Sequence, residues 1–221
     1  MRLFLLLFLL SSAPVRACEV ALVVALDVSR SVDKYEYWLM RDGIAAAFLD
    51  EDVAGLIEDL PGGIMVTVTQ WGGLGQQRQV SPWQGLRTRA EIAAFVSPFR
   101  EQTRGYWMAD TAVSEALLHA DLMFGPETAL CRRRVIDVSG DGIANAGDPV
   151  MPIARAIGAK GVTINGLVVK GARNDPVDWY RREVIAGPLP FVETANSYDD
   201  YTRAMTRKLL RELTPALASA W

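Results

Sequence analysis

The chain has 221 residues, of which 50% are hydrophobic, and its formal net charge is −3. This composition is ordinary for one globular domain with a sizeable core. The sequence pI is near 5.3, so there is no basic excess to neutralise phosphates, which argues against nucleic acid as a partner.

The N-terminus has the features of a secretory signal. Arg2 is followed by the apolar stretch LFLLLFLL, and small residues at Val15 and Ala17 mark a cleavage site before Cys18. The apolar stretch is far below the roughly 20 residues of a membrane-spanning helix, and no later segment reaches that length. We therefore expect residues 1–17 to be removed on export to the periplasm or the exterior. One domain over residues 18–217, without a membrane span, should remain.

Strand and helix patterns alternate along the rest of the chain. Strands are predicted at 19–26, 63–71, 76–83, 133–139, 161–169 and 188–195, and helices at 33–53, 88–99, 111–124, 149–158, from 176, and from about 200 to 215. The third strand contains Pro82, which suits a sheet edge because proline donates no ladder hydrogen bond. Such alternation predicts an α/β fold with a doubly wound, mostly parallel six-stranded sheet flanked by helices and one antiparallel edge strand.

The chain has two cysteines, Cys18 and Cys131, and each directly precedes a predicted strand. In an exported protein such a pair favours a disulfide. If the two strands are parallel neighbours, their starting ends lie side by side and a bridge is geometrically feasible. The alternative is a lipid anchor on Cys18, but Arg16, two residues upstream, fits a lipoprotein signal poorly.

The first predicted strand ends in an unusual set of polar residues. Asp27 closes the apolar run, and Ser29 and Ser31 follow at every second position. Ligands of doubly wound sheets bind beyond the carboxyl ends of the strands, and alternate spacing turns three oxygens toward one point. Thr111 at a predicted helix start and Asp141 just after a predicted strand add a hydroxyl and a carboxylate. Such oxygens suit a hard divalent cation such as Mg²⁺.

The motifs in this order resemble the von Willebrand factor A domain. They are Asp-x-Ser-x-Ser after an apolar strand, a threonine opening a later helix, and Asp-Gly after a later strand. The resemblance spans nearly all the mature chain, and the segments RRVIDVSGDG and GVTINGLVV are similar to a bacterial family of exported A-type domains of undetermined function. It implies a metal-ion-dependent adhesion site (MIDAS) holding Mg²⁺, Mn²⁺ or Ca²⁺. The implied ligands, some of them acting through water, are Asp27, Ser29, Ser31, Thr111 and Asp141.

Two of these ligands have competitors nearby. Asp110 precedes Thr111 where the family often has glycine, and Thr103 is the alternative hydroxyl. Asp137 competes with Asp141, but it lies inside its strand, whereas Asp141 lies beyond the strand's end, where the site must be.

The resemblance implies a non-enzymatic binding module whose metal accepts an aspartate or glutamate of a protein partner. Tyr106 and Trp107, in the loop before Thr111, are candidates for partner recognition because aromatic residues are favoured at interfaces, and the alternative is a small apolar cluster at the edge of the sheet. One alternative is a metal-assisted, phosphatase-like hydrolase with Asp27 as nucleophile. Such enzymes usually carry a second acid two residues on, where this chain has Ser29. The other alternative is a structural domain that binds no metal.

Overall fold

The computed structural model describes residues 18–170 and 175–214. Its strands are β1 (Cys18–Asp27), β2 (Ile64–Trp71), β3 (Gln77–Leu86), β4 (Cys131–Gly140), β5 (Val162–Val169) and β6 (Val192–Ala195). Its helices are α1 (Lys34–Leu49), α2 (Glu51–Asp59), α3 (Arg89–Phe99), α4 (Val113–Leu122), α5 (Val150–Ala159), α6 (Val177–Trp179), which continues as a π-helix (Tyr180–Val184), and α7 (Tyr201–Leu213). Within these ranges no helix is both long and apolar enough to cross a membrane.

The six strands form one sheet in the order β3-β2-β1-β4-β5-β6. Every neighbouring pair is parallel except β2 and β3, which are antiparallel. The predicted fold, with one antiparallel edge strand, is therefore confirmed. The connections run outward in opposite directions from β1 and β4, so the switch point at which ligands bind in such sheets lies at the carboxyl ends of these two strands.

Strand β1 is central, and all ten of its residues are buried. Its even-numbered side chains, such as Leu22 and Leu26, join the core beneath α1 and α7. Its odd-numbered side chains, such as Val23 and Ala25, join the core beneath α4 and α5. A strand covered on both faces has to be apolar throughout, which explains the continuous run in the sequence. Asp27 continues the odd-numbered series, so its side chain points to the α4 and α5 side of the sheet.

The helix predicted over residues 33–53 is wrong in one respect, because the chain forms two helices there. Asp33 and Glu36 make a capping box that begins α1. Asp50 then leaves the helical conformation and accepts hydrogen bonds from the backbone N–H groups of Asp52 and Val53, so that it caps α2. Apolar spacing continues across this break, and periodicity alone therefore did not reveal it.

The disulfide predicted between Cys18 and Cys131 is confirmed. The two residues are directly paired at the starting ends of parallel neighbours β1 and β4, with their Cα atoms 4.5 Å apart. Because its sulfur is bonded to Cys131, Cys18 has no thiol left for lipid attachment in this state.

A buried ionic cluster lies under α7, on the sheet face opposite the Asp27 side chain. The Lys208 ammonium is 2.8 Å from Asp137 Oδ1 and also contacts Glu212 Oε1, and all three side chains are almost inaccessible to solvent. Burial raises the pKa of Asp137 to about 7, opposed by the charge of Lys208. Asp137 is thus engaged in the core, whereas Asp141 directly follows the end of β4.

Candidate metal centre

Asp27 ends β1 with a fully buried carboxylate. Its Oδ1 accepts a hydrogen bond of 2.7 Å from the backbone N–H of Ser29, which folds the chain back over the strand end. This turn places the Ser29 side chain in the interior beside the carboxylate. Alternate spacing in the sequence thus corresponds to a tight local turn rather than to a continued strand.

The two serine hydroxyls extend from the turn at Asp27 to the carboxyl end of β4. Ser29 Oγ and Ser31 Oγ are 3.2 Å apart, and Ser31 Oγ donates a hydrogen bond of 2.7 Å to Asp141 Oδ1. Asp141 directly follows β4 and is 110 residues from Ser31 along the chain. The structure therefore brings four of the five predicted ligands into one cluster of carboxylate and hydroxyl oxygens.

Thr111, the fifth predicted ligand, lies at the border of this cluster. It does not open α4 as predicted, since the helix begins at Val113 and its first cap is Ala112. Asn145 holds Thr111 in place through two hydrogen bonds. Asn145 Oδ1 accepts a hydrogen bond from the Thr111 backbone N–H at 2.8 Å, and the Asn145 backbone N–H donates to the Thr111 carbonyl at 3.0 Å. Thr111 and Ser31 line the same cleft of about 170 Å³. The alternative, Thr103, is exposed, and its carbonyl accepts hydrogen bonds from Gln70 and Arg78.

The two carboxylates of the cluster are electrostatically unfavourable neighbours. Burial, and then the charge of Asp141, raise the pKa of Asp27 to about 7, although hydrogen bonds from Ser29 and the charge of Arg104 oppose the shift. Asp27 Oδ2 is buried and has no hydrogen-bond partner among the described residues. A divalent cation beside both carboxylates would neutralise their charge, so this donor set fits such an ion.

The fit depends on hydroxyl oxygens as well as on carboxylates. Over residues 18–170 and 175–214, no group of three or more His, Cys, Asp or Glu side chains is arranged to hold a metal. The cluster supplies two carboxylates and two directly connected hydroxyls. Hydroxyl, carboxylate and water oxygens are the ligands of hard cations, whereas the softer metals prefer nitrogen and sulfur.

Arg104 is a site residue that the sequence analysis missed. Its buried guanidinium donates through Nη2 to the carbonyl oxygens of Val28, at 3.0 Å, and of Ser29, at 2.8 Å. It therefore ties the loop of residues 100–112 to the turn that carries the serines. The loop is visibly rich in arginine and aromatic residues, but nothing local in the sequence distinguishes this arginine from its exposed neighbours.

Two tyrosines from the last third of the chain, at the starts of the π-helix and of a short 3-10 helix, also approach the carboxylates. Burial raises the pKa of Tyr180 and of Tyr198 well above the usual value, and the negative charges of Asp27 and Asp141 raise both further. Neither hydroxyl has a hydrogen-bond partner in the part of the chain that is described. Both residues are distant in sequence from the metal-binding motifs, so no spacing rule could have indicated them.

The two aromatic residues proposed for partner recognition differ in exposure. Tyr106 is half-buried, packs against the core beneath α1 and α7, and donates a long hydrogen bond of 3.5 Å from its hydroxyl to the Gln77 carbonyl. The Trp107 side chain is 56% exposed, and its ring centre lies 4.8 Å from the guanidinium carbon of Arg104. Trp107 is thus connected through Arg104 to the serine turn.

The chain has the fold of von Willebrand factor A domains. Proximal thread matrix protein 1 from the mussel byssus is 18% identical, with a TM-score of 0.62, over 88% of this chain and 48% of that one. A structure of that protein with a zinc-occupied MIDAS motif is 15% identical, with a TM-score of 0.61, over 89% and 46%. A von Willebrand factor type A protein from Catenulispora acidiphila is 17% identical, with a TM-score of 0.58, over 88% and 42%.

This chain spans about half the length of these structural relatives, and identities this low establish a shared fold alone. No curated protein matches the chain in sequence. A family model described as "Protein of unknown function (DUF1194)" matches residues 17–217, and the chain belongs to that family.

Proposed function

We propose that this protein is an exported binding module that holds a divalent metal and presents it to an acidic residue of a protein partner. The preferred metal is Mg²⁺ or Mn²⁺. The observation that carries the proposal is the continuous oxygen cluster of Asp27, Ser29, Ser31 and Asp141 at the switch point of the sheet. Thr111, in the adjoining cleft, completes the proposed ligand set.

The charges of this set explain why a bound metal would still attract an acid. Two carboxylates balance the charge of one divalent cation, and the remaining protein ligands are neutral hydroxyls. When bound, the metal supplies an electrophilic position for a carboxylate oxygen from outside. Asp27 and Asp141 provide the charge, Ser29, Ser31 and Thr111 provide neutral oxygens, and Arg104 fixes the turn on which the serines lie. Ca²⁺ remains compatible with the same oxygens.

Two observations disfavour the hydrolase alternative. The Asp27 carboxylate is fully buried and its Oδ1 is engaged by the Ser29 backbone, whereas a nucleophile must reach its substrate. The position two residues on, where the second acid of aspartate phosphatases stands, is occupied by Ser29. The other alternative, a structural domain without metal, relieves the repulsion between Asp27 and Asp141 only while Asp27 keeps a proton, and its pKa is about 7.

Export is supported by the disulfide and by the sequence of the N-terminus. Disulfides persist in oxidising compartments, and Cys18 and Cys131 are bonded here. The segment proposed as the signal, residues 1–17, lies outside the described residues. Among the structural relatives, one is a mussel byssus thread matrix protein and another is the pilus adhesin SpaC from Lactobacillus rhamnosus GG. We place the mature protein in the periplasm or the exterior.

The proposal predicts metal-dependent binding of carboxylate peptides. The oxidised protein is presented with a displayed peptide library that has a fixed central aspartate, and with the same library carrying asparagine, in Mg²⁺ or in EDTA. We expect the protein to retain the aspartate library in Mg²⁺ but not in EDTA. The Asp141→Ala variant should not retain this library in either condition. The matched control is Asp148→Ala, which removes an exposed acid seven residues away that lies outside the cluster. Equal retention of asparagine peptides, or binding that persists in EDTA, contradicts the proposal.

Trp107 and Tyr106 are proposed to contribute to the partner surface beside the metal. We expect Trp107→Ala to weaken binding of a selected peptide about tenfold or more, since a large aromatic side chain contributes roughly 1–2 kcal/mol at an interface. The melting temperature should change little, because Trp107 is 56% exposed. Leu122→Ala, at an 84% exposed position at the end of α4, is the control for loss of a surface apolar side chain. An unchanged peptide affinity would remove Trp107 from the surface.

A further inference from the structure

The ring of Tyr180 lies on the sheet above two glycines of neighbouring strands. Gly140 in β4 and Gly166 in β5 face the same side of the sheet as Asp27. A Cβ atom on Gly166 would lie 2.8 Å from Tyr180 Cδ1, and a Cβ atom on Gly140 would lie 2.7 Å from the Tyr180 hydroxyl oxygen. Any larger residue at either position would displace the ring, so the two strands provide a shelf that this side chain requires.

The position that a Cβ atom on Gly140 would occupy is also close to the carboxylate of Asp27. A Cβ atom there would lie 2.8 Å from Asp27 Oδ2, so the phenol oxygen and the carboxylate oxygen flank Gly140 together. Both oxygens are buried, and within the described ranges neither has a hydrogen-bond partner. Leaving a buried donor and a buried acceptor unpaired is costly, and pairing these two removes both costs.

Some donors in this region are already engaged. The Trp71 indole N–H donates to the Ala25 carbonyl at 3.1 Å, and the Tyr201 hydroxyl donates to Ser139 Oγ at 3.1 Å. Arg104 uses Nη2 for the serine turn. The Tyr198 hydroxyl and Arg104 Nε also lack partners in the described part of the chain, but the Tyr180 hydroxyl is the donor that lies against Gly140 together with Asp27 Oδ2.

We propose that Tyr180 is a positioning residue of the metal centre, whose hydroxyl donates to Asp27 Oδ2 directly or across one water molecule. The Ser29 N–H holds the other oxygen, Oδ1, so both ends of the carboxylate are fixed. Partners of this kind orient a ligand before the metal arrives, and their loss typically reduces metal affinity about 10–100-fold. Tyr180 also begins a π-helix, a rare element that often occurs at functional sites. This inference rests on the proposed metal site.

The test combines metal binding with a double-mutant cycle. Tyr180→Phe keeps the ring on its glycine shelf and removes one oxygen, so the variant should fold. We expect its Mg²⁺ affinity, measured by calorimetry, to fall about tenfold or more. We also expect Tyr180→Phe to lower the melting temperature in EDTA by several degrees when Asp27 is present. The same change should have far less effect in a protein that already carries Asp27→Ala, because the hydrogen bond needs both groups.

The control is Tyr37→Phe, a buried tyrosine whose hydroxyl donates to the Gln102 carbonyl and accepts from Gln70. It should lower the melting temperature equally in both Asp27 backgrounds and leave Mg²⁺ affinity unchanged. Equal shifts for Tyr180→Phe in both backgrounds, or unchanged Mg²⁺ affinity in that variant, would overturn the inference. If the unmodified protein binds no Mg²⁺, the proposed function fails, but the melting cycle in EDTA still decides whether Tyr180 and Asp27 are paired.

Discussion

Removing the disulfide is expected to lower the free energy of unfolding by about 4–5 kcal/mol. The bond between Cys18 and Cys131 joins residues 113 apart in sequence, so it closes a long loop in the unfolded chain and removes much of that chain's conformational entropy. The double variant Cys18→Ala with Cys131→Ala avoids placing a hydroxyl in the buried position of Cys18. Urea unfolding of the oxidised protein and of this variant gives the difference directly.

The native structure should survive this change. The strands β1 and β4 remain hydrogen-bonded neighbours along their length, and Arg132 keeps its ion pair with Glu19 beside the lost bond. The disulfide lies at the starting ends of the strands, and the proposed metal site lies at their carboxyl ends, where Asp27 is nine residues from Cys18 along β1. Mg²⁺ affinity should therefore be unaffected. A stability difference below about 1 kcal/mol would show that the bond constrains the unfolded chain far less than the entropy model requires.

Asp27→Asn should have two opposite effects, one on metal binding and one on stability without metal. Mg²⁺ affinity should fall about 100-fold or more, because the change removes one of the two negative charges of the ligand set. Loss of a ligand should cost more affinity than loss of a residue that only orients a ligand, which typically costs about 10–100-fold. In EDTA at pH 8 the variant should melt at a higher temperature than the unmodified protein. Asparagine has the size of aspartate but carries no buried charge.

The pH dependence follows from the raised pKa of Asp27. Its folded-state value of about 7 lies above the usual 3.8, so between these values the folded protein holds a proton that the unfolded chain has lost. The contribution of Asp27 to the stability of the metal-free protein therefore falls as pH rises from about 4 to 7, by on the order of 4 kcal/mol in full. Asp137 is also raised to about 7, but it is present in both proteins and cancels in the difference. If the difference in melting temperature between Asp27→Asn and the unmodified protein in EDTA were the same at pH 5 and pH 8, this account would be contradicted.

Much of the fold follows from the spacing of apolar residues and from the residues that begin or end strands and helices. β1 had to be buried on both faces because its apolar run has no alternation, and that placed it in the centre of a parallel sheet. With β1 and β4 as neighbours, the two cysteines had to lie side by side, and they do. The break at Asp50 was missed because a capping aspartate inside an amphipathic pattern resembles an ordinary surface residue of one long helix.

The candidate site was predictable only where its residues lie next to strand ends. Asp27 and Asp141 could be placed because parallel strands end at one edge of a sheet. Arg104 and Tyr180 could not, because their positions depend on how a long loop and a π-helix pack onto the sheet. The glycine shelf beneath Tyr180 shows the same limit, since Gly140 and Gly166 acquire their meaning only when the ring above them is seen.

One divalent ion is proposed to bind among the oxygens at the ends of β1 and β4. Anomalous diffraction from crystals of the oxidised protein grown with Mn²⁺ locates such an ion without reference to any activity. We expect a single strong peak between Asp27 and Asp141, in contact with the hydroxyls of Ser29 and Ser31 directly or through water, and absent from Asp27→Asn crystals. A peak elsewhere on the molecule, or none at millimolar Mn²⁺, would contradict the account.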